Sequence, residues 1–193
     1  MNIISKQEFL DNKEFYKQKI LSGAVFVYPT DTIYGIGCDA TNDAAVARIR
    51  DIKERASNPF SVAVPSVDWI HDHCIVKEYA KKWISKLPGP YTLVLAQKDQ
   101  GVCITIGTQT LGVRIPDNWM SEIVTELGIP LVSTSVNKAG KRYMTSVQTG
   151  DPLVLEQVDF IIDEGILSGT PSTIVHLVDE ERIVSRNSPS STQ

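Results

Sequence analysis

The chain is organised around one stretch, Pro29-Thr30-Asp31-Thr32-Ile33-Tyr34-Gly35-Ile36-Gly37-Cys38-Asp39-Ala40. An apolar run at 24–28 precedes it and predicts a buried strand, and a helical pattern follows it. Hydroxyls, a carboxylate and two glycines directly after a strand place short polar groups at the end of a rigid element. The glycines allow the backbone to approach a ligand or to adopt positive φ. The stretch therefore predicts either a ligand-binding loop or a polar connection between a strand and a helix.

Size and composition limit the class of protein. The 193 residues predict one domain, 1–186, followed by a Ser-rich tail, 187–193, that we expect to be disordered. An apolar fraction of 42% suffices for a core, and the net charge of −4 argues against a general attraction to nucleic acid. Three cysteines without CxxC spacing favour reduced thiols in a cytoplasmic protein. We expect no membrane span, because no apolar run approaches about 18 residues, and the N-terminus lacks a signal-peptide pattern.

Alternating helical and strand patterns predict an α/β fold with a mixed sheet. A capping box at 5–8 predicts a helix to about residue 21, and Asn42 predicts the start of a helix that carries Lys53 and Arg55 at its end. Further helices are predicted at 66–70, 76–87 and 152–158, and one that Asp117 caps and Gly128 ends. The predicted strands are 24–28, 60–64, 91–96, 102–106, 112–115, 131–133 and 160–162, with a hairpin formed by 172–177 and 182–185.

Two cations lie close together at the end of the third predicted helix. In an extended segment Lys53 and Arg55 would point to the same side, where Arg supplies a bidentate fork and Lys a point charge for a phosphate or a carboxylate. The alternative is that both only complement the negative end of the helix macrodipole.

Other polar groups follow predicted strands. Arg114 lies between apolar residues in Gly112-Val113-Arg114-Ile115-Pro116, and Arg186 ends a strand in a similar way. Either arginine could bind a ligand or lie on a solvated sheet face. The run Ser133-Thr134-Ser135-Val136-Asn137 could bind phosphate or amide groups, or serve only as turn chemistry.

Three further patterns are weak. The cluster His71-Asp72-His73-Cys74 has the composition of a zinc site but no fourth ligand at a usual spacing. His176 is interpreted as a core residue of a strand. The run Gly35–Ala40 matches the G-x-G-x-x-A form of the dinucleotide fingerprint, but it does not follow its strand directly and lacks the acidic ribose acceptor.

Taken in order, five motifs resemble those of the YrdC/TsaC family of threonylcarbamoyl-AMP synthases. They are the Pro29–Ala40 stretch, Lys53-Glu54-Arg55, Gly112–Pro116, Ser133–Gly140 and Pro171–Val175, and the similarity covers about residues 20 to 186. The resemblance implies a twisted, open α/β sheet with flanking helices and a concave, basic cavity. It also implies a short, single-domain enzyme that joins L-threonine, bicarbonate and ATP, with Mg²⁺ accompanying ATP, and releases pyrophosphate.

The resemblance further implies roles for single residues. Those at positions that hold threonine are Thr32, Arg114 and Ser172, and Thr134 lies between the two groups. Those near ATP are Lys53, Arg55, Asn58, Thr110, Ser135, Asn137, Thr145 and Arg186. Lys53 and Arg55 are the expected catalytic residues, since positioning and charge neutralisation carry most of such a reaction. Asp31 is a candidate magnesium ligand, and no resident metal site is expected.

Two departures from the family pattern and two rival functions are part of this prediction. Ala63 occupies the place of a family histidine, and Lys-Glu-Arg-Ala replaces Lys-Gly-Arg-Pro at 53–56. The expected partners beyond the substrates are a downstream threonylcarbamoyl transferase complex and, as a further candidate, tRNA. The rivals are a double-stranded RNA or tRNA-binding module of the same fold and a nicotinamide-dependent oxidoreductase.

Overall fold

The structure, a computed structural model, describes residues 1–55, 58–98, 102, 109–138, 141–167 and 169–185. Short 3-10 turns lie at Glu78–Ala80 and Val147–Thr149. The helices are α1 (Lys6–Asp11), α2 (Lys13–Leu21), α3 (Asp43–Lys53), α4 (Val67–His73), α5 (Lys81–Ile84), α6 (Met120–Leu127) and α7 (Pro152–Leu155). The strands are β1 (Ile3–Ser5), β2 (Phe26–Tyr28), β3 (Gly35–Gly37), β4 (Ser61–Ala63), β5 (Cys74–Ile75), β6 (Tyr91–Gln97), β7 (Thr110–Arg114), β8 (Leu131–Val132), β9 (Thr134–Ser135), β10 (Phe160–Asp163), β11 (Thr173–His176) and β12 (Arg182–Val184).

The strands form two mixed sheets. The first has the order β1-β10-β2-β3-β9, with β10 parallel to both of its neighbours and the remaining pairs antiparallel. The second has the order β12-β11-β6-β7-β4-β8, and β5 pairs with β6. Within it β11 is parallel to β6 and β4 is parallel to β7. The predicted α/β fold with mixed, open sheets and flanking helices is confirmed, although two sheets replace the expected one.

Aromatic packing joins the first two helices to the first sheet. The rings of Phe26 and Phe160 stack with centroids 5.0 Å apart, and Tyr16 of α2 lies 5.1 Å from Phe160. Phe9 of α1 stacks on Tyr16 at 5.3 Å, and these four side chains are buried. Burial of large aromatic surfaces is among the strongest contributions that a single side chain makes to a core. A separate cluster, which includes Val46 and Ile49 of α3 together with β4, β6 and β7, lies on the other side of the sheet system.

The predicted helix starts are confirmed where a side chain caps the helix. Ser5 Oγ accepts a hydrogen bond from the Glu8 backbone N–H at 3.1 Å, and Asn42 Oδ1 accepts one from Ala45 N–H at 3.0 Å. Gly128 ends α6 with φ of 69°. The start of α6 was wrong, since Trp119 and not Asp117 precedes its first residue.

Two predicted helices are divided or replaced. The helix expected to run to residue 21 breaks at Asn12, between α1 and α2. The helix expected at 76–87 is confirmed only in its central part, where a 3-10 turn at Glu78–Ala80 leads directly into α5. The predicted hairpin of β11 and β12 is confirmed, whereas the strand expected at 102–106 falls outside the described residues except for Val102.

The central stretch contains a strand that the sequence did not reveal. Gly35 and Gly37 belong to β3, which pairs antiparallel with β2, and neither has positive φ. A Cβ added at Gly37 would lie 2.4 Å from the Val132 carbonyl oxygen and 2.7 Å from Tyr28 Cε1. Gly37 is therefore required by close packing of the backbone against Tyr28 and β8. This role argues against the dinucleotide fingerprint.

No described helix has the length and apolar character needed to cross a membrane. The predicted tail at 187–193 lies outside the described residues.

Candidate active site

Residues of both sheets line a cavity of about 480 Å³. That volume lies within the usual range for small-molecule sites, about 300–1,000 Å³. The first sheet contributes Gly35 and Ser135, and the loop before β3 contributes Thr30, Thr32, Ile33 and Tyr34. The second sheet contributes the cavity-facing residues of β4, β6, β7 and β11, among them Ser61, Thr92, Val94, Thr110, Gly112, Arg114, Ile174 and His176.

The strand β7 gives the cavity two different ends. Thr110 and Arg114 are its first and last residues, and both line the cavity. Two residues that are four positions apart on a strand, as Thr110 and Arg114 are, lie about 13 Å from each other. We therefore distinguish an Arg114 end and a Thr110 end.

The Arg114 end is built around a buried guanidinium. Arg114 is 5% exposed, so the alternative of a solvated sheet face is wrong. Its Nη2 donates to Asp31 Oδ1 at 2.5 Å and to Thr32 Oγ1 at 3.4 Å. The hydroxyls of Thr30 and Thr32 lie 2.9 Å apart, and Thr30 also bonds to the backbone of Ile33. The 29–33 loop is thereby held against β7.

Thr92 and Ser172 complete this end. Thr92 Oγ1 lies 2.8 Å from Ser172 Oγ, and both side chains are buried and line the cavity. By the β6–β7 register Thr92 lies opposite Arg114. The sequence analysis missed Thr92, although its alternation with Val94 in a predicted strand is a signal that places it on one face.

Arg55 lines the cavity and contacts Pro59. Because Ser61 pairs with Gly112 in the parallel β4–β7 register, the residues that precede Ser61 lie toward the Thr110 end. Arg55 Nη2 donates to the Pro59 carbonyl at 3.0 Å, and its guanidinium lies 5.4 Å from the Phe60 ring centroid. Arg50 supports this arrangement, because its Nη1 donates to the carbonyls of Arg55 and Asn58 at 3.1 Å each. The cation predicted to bind phosphate is thus held at the cavity wall by a second arginine.

Lys53 was predicted to bind ATP together with Arg55, but unlike Arg55 it does not line the cavity. It is the last residue of α3, and Glu54 follows with φ of 51°, so the two cations do not share an extended segment. Its Nζ donates to the Asn137 carbonyl at 2.7 Å and also to the Ser135 carbonyl. Burial, with a smaller contribution from the charge of Arg55, lowers the pKa of Lys53 to about 7. Lys53 therefore lies behind the cavity wall and ties α3 to the 133–138 segment.

The remaining predicted ATP residues divide into two groups. Thr110 and Ser135 line the cavity together with Arg55, and so does Thr134. The side chain of Asn137 donates to the carbonyls of Lys138 and Lys141, and its Oδ1 is buried without a partner among the described residues. Asn58 is exposed. Thr145 is not among the described residues that line the cavity, and its backbone N–H donates to Thr149 Oγ1 at 3.2 Å. Arg186 lies outside the described residues.

The histidines take up positions that the sequence did not settle. His176 lines the cavity and is not a core residue, and burial together with Arg182 lowers its pKa. His73 packs on Trp69 with ring centroids 4.3 Å apart. In the part of the chain that the structure describes, no group of His, Cys, Asp and Glu could hold a metal ion. Ala63 pairs with Arg114 across β4 and β7 but lies in the aromatic core cluster and not in the cavity.

Comparison with known proteins identifies relatives over most of the chain. The family model Sua5_yciO_yrdC, described as telomere recombination, matches residues 18–188. A Methanocaldococcus jannaschii protein, provisionally named a threonylcarbamoyl-AMP synthase, is 40% identical over 174 residues, which cover 88% of this chain and 82% of that protein. The threonylcarbamoyl-AMP synthase of Xanthomonas campestris pv. campestris is 32% identical over 159 residues, covering 77% and 85%.

Solved structures agree with this assignment. P. abyssi Sua5 complexed with L-threonine superposes with a TM-score of 0.79 at 29% identity, covering 91% of this chain. The chain spans 54% of that Sua5 chain, about half its length. E. coli YciO gives a TM-score of 0.77 at 26% identity, covering 97% of this chain and 94% of YciO. The predicted resemblance is confirmed, and the chain belongs to the Sua5/YciO/YrdC family.

Proposed function

We propose that this chain is a threonylcarbamoyl-AMP synthase, which forms L-threonylcarbamoyladenylate and pyrophosphate from L-threonine, bicarbonate and ATP. The observation that carries the proposal is the arrangement of one cavity with two ends. Arg114, Thr32 and Ser172 lie at one end, where they suit an amino acid, and Arg55 and Thr110 lie toward the other, where they suit a nucleotide. The names of the relatives support the same activity.

The reaction requires positioning and charge neutralisation more than a protein nucleophile. The neutral amine of threonine adds to carbon dioxide with loss of a proton, or to bicarbonate with loss of water, and forms a carbamate. A carbamate oxygen then attacks the α-phosphorus of ATP while pyrophosphate leaves. Negative charge grows on the leaving pyrophosphate, and Arg55 is the cation at the cavity wall that would neutralise it. Hydroxyl and guanidinium donors at the Arg114 end would hold the amino acid in line.

Lys53 supports the site in a second way under this proposal. By holding the carbonyls of Ser135 and Asn137, it fixes the segment that faces the nucleotide end. A bound triphosphate would favour the charged ammonium, because an anion nearby raises a lysine pKa. Mg²⁺ would arrive with ATP and be held mainly by the triphosphate. Asp31 is a poor candidate for a magnesium ligand, because Arg114 already occupies one of its oxygens.

The proposal extends to the fate of the product. Threonylcarbamoyladenylate is an activated acyl donor, so it would pass to a threonylcarbamoyl transferase complex that forms t6A at position 37 of tRNA. A cytoplasmic location fits this role. The side chains of the described cysteines, Cys38 and Cys74, are buried.

The direct test is incubation with ATP, L-threonine and bicarbonate, followed by detection of the adenylate by mass spectrometry. Pyrophosphate release should require both L-threonine and bicarbonate. Equal release without threonine would sink the proposal. The RNA-binding alternative gains no support from the described residues, and a salt titration of tRNA binding beside one of ATP binding would separate the two functions.

A further inference from the structure

A row of residues crosses the floor of the cavity midway between its two ends. Val94 pairs with Gly112 in the β6–β7 register, and His176 pairs with Val94 in the β11–β6 register. On the other side of β7, Gly112 pairs with Ser61 of β4. All four residues line the cavity, and Gly112 lies two positions from either end of β7. We call these four residues the middle row.

His176 is the member of the middle row that can accept a proton at neutral pH. Val94 is apolar, and Gly112 has no side chain. Ser61 Oγ donates its hydrogen bond to the Ser133 carbonyl at 2.5 Å, so its proton is already engaged. The imidazole of His176 is half-buried at the cavity surface, where water can carry a proton away.

The groups around His176 favour a neutral imidazole. Arg182 is its partner across β11 and β12, and the neighbouring residue of β6 is apolar. Burial, with a further contribution from the charge of Arg182, lowers the pKa of His176 below its ordinary value. Arg55 and Arg114, the charged residues of β7 and of the α3–β4 connection that line the cavity, add no negative charge that would oppose this. The imidazole is therefore mainly neutral at pH 7, the form that acts as a base.

The other titratable residues among the described lining residues suit this role less well. Tyr34 donates its hydroxyl to the Gly165 carbonyl at 2.9 Å, and burial raises its pKa to about 12. Asp179 follows β11 and is exposed, and an exposed carboxylate is too weak a base to take a proton from an amine at pH 7. The arginines remain protonated.

The proposed reaction places the amine of the amino acid over the middle row. Its carboxylate would lie toward Arg114, and the α-phosphorus of ATP would lie toward the Thr110 end. The carbamate that joins the two must therefore form between them. His176 lies two strands from Gly112, about 10 Å between backbones, and its side chain faces the cavity across that distance.

The amine needs a base before it can react. An α-amino group is largely protonated at neutral pH, and an ammonium nitrogen has no lone pair with which to attack carbon. We propose that His176 is a catalytic residue, the general base that accepts a proton from the ammonium group of the bound amino acid and so starts formation of the carbamate. The inference rests on the proposed function and deepens it, because it assigns the proton transfer of its first step.

The step balances with bicarbonate as the second reactant. One N–H bond of the ammonium breaks, and its proton passes to the imidazole. The freed lone pair forms the N–C bond to bicarbonate, and the C–OH bond of bicarbonate breaks. The hydroxide leaves as water with a second proton from the nitrogen. The products are the carbamate, one water and the imidazolium of His176, which returns its proton to solvent.

The first test follows pH. His176→Gln keeps a polar side chain but removes the base, and it should lower kcat/KM for L-threonine by about a hundredfold at pH 7. The variant depends on threonine that is already neutral, a fraction that rises up to about tenfold per pH unit below the pKa of the amine. The ratio of wild type to variant should therefore shrink from pH 7 to 9. Taking the ratio cancels the effect of pH on bicarbonate.

The matched control is His71→Gln, because His71 is exposed on α4 and is not among the described residues that line the cavity. Its kcat/KM should equal that of the wild type at each pH. A loss in His176→Gln that stays constant from pH 7 to 9 would mean that His176 only shapes the cavity, and it would overturn the proposal. Unchanged activity in His176→Gln would do the same.

The second test uses the wild type and does not depend on activity. The chain has three histidines, so the variants His71→Gln and His73→Gln assign two imidazole signals in an NMR spectrum and leave the third to His176. Saturating L-threonine should lower the pKa of His176 by about one unit, because a nearby ammonium disfavours the imidazolium. The pKa of His71 should stay unchanged. A pKa of His176 that stays constant or rises would overturn the proposal, even if His176→Gln fails to fold.

The outcomes separate this inference from the proposed function. Adenylate formation in the wild type that requires threonine and bicarbonate, with unchanged activity in His176→Gln, would reject the base and keep the synthase. A wild type that forms no adenylate, although L-threonine lowers the pKa of His176, would reject the synthase and keep the contact between His176 and the amine.

Discussion

Lys53 Nζ donates a hydrogen bond to the backbone carbonyl of Asn137, 2.7 Å away and 84 residues further along the chain. A second bond, to the Ser135 carbonyl, holds the same segment. These contacts tie α3, from behind the cavity wall, to the segment whose Ser135 lines the cavity. Because the side chain is buried, with a pKa lowered to about 7, its charge should affect the stability of the fold.

The first prediction concerns pH and stability. A lysine whose pKa is about 7 when folded and near 10.5 when unfolded binds fewer protons in the folded state between those values. The contribution of Lys53 to the free energy of unfolding should therefore rise as pH increases from about 7 to 10, by at most about 1.4 kcal/mol per pH unit. Below about pH 7 the lysine is protonated in both states and this slope should disappear.

The measurement is the melting temperature of wild type and Lys53→Met at pH 6, 7.5 and 9. The difference between the two proteins isolates Lys53 from the other titrating groups. It should shift in favour of the wild type by about 3–6 °C per pH unit at most above pH 7. A difference that stays constant from pH 6 to 9 would show that Lys53 keeps an ordinary pKa.

The second prediction separates the roles of the two cations. If Arg55 neutralises charge on the leaving pyrophosphate, Arg55→Ala should lower turnover by about a hundredfold or more, similar to the loss of one preorganised donor. Arg55→Lys should retain only part of the wild-type turnover, because lysine keeps the positive charge but lacks the bidentate guanidinium. Turnover and melting temperature are measured together for both variants and for Lys53→Ala, in which a larger loss of stability is expected because Lys53 is buried.

The alternative is that Arg55 only complements the negative C-terminal end of the α3 macrodipole, and the same measurements would identify it. A residue that only complements the macrodipole contributes about 0.3–1 kcal/mol of stability and nothing to activity. Full turnover in Arg55→Ala with a lowered melting temperature would therefore reject the phosphate role.

The third prediction concerns the two glycines of β3. Gly37→Ala should lower the free energy of unfolding by about 1–3 kcal/mol, since its Cβ would lie 2.4 Å from the Val132 carbonyl oxygen and 2.7 Å from Tyr28 Cε1. Gly35→Ala is the matched control, because its Cβ would meet its nearest atom, the Thr134 carbonyl oxygen, at 3.5 Å, an ordinary contact. Urea denaturation measures both, and equal stabilities would contradict the packing role of Gly37.

Local signals in the sequence predicted much of the fold. The caps at Ser5 and Asn42 and the turn glycine at Gly128 depend on residues a few positions apart, so sequence spacing is sufficient to find them. The ordered motifs predicted the family for the same reason, because each motif is a short run of neighbouring residues that can be identified without knowledge of the fold.

Long-range contacts explain what the sequence did not predict. The position of Lys53 depends on carbonyls more than 80 residues away, so its two-residue spacing from Arg55 suggested a shared phosphate site that the geometry divides. The position of Gly37 in the sequence suggested a ligand-binding loop, whereas the structure shows that a glycine is required there because any side chain would collide with Tyr28. The buried Arg114 is paired with Asp31, which lies 83 residues earlier, so its sequence neighbours do not reveal the pairing.

The fourth prediction concerns Thr92, which single-sequence reasoning did not select. Its hydroxyl lies 2.8 Å from that of Ser172, a predicted threonine-binding residue, and their contact spans 80 residues. Thr92→Val keeps the shape of the side chain but removes this bond. The apparent KM for L-threonine should rise about two- to tenfold, which corresponds to about 0.5–1.5 kcal/mol for one neutral hydrogen bond. The KM for ATP should stay unchanged.

A double-mutant cycle shows whether this effect passes through Ser172. If the two hydroxyls act as a unit, Thr92→Val should have little effect on the KM for threonine once Ser172→Ala is present. Thr173→Val is the matched control, because Thr173 lies next to Ser172 at the start of β11 but does not line the cavity. Additive effects of Thr92→Val and Ser172→Ala, or an equal effect of Thr173→Val, would mean that Thr92 contributes to the sheet and does not orient Ser172 toward the amino acid.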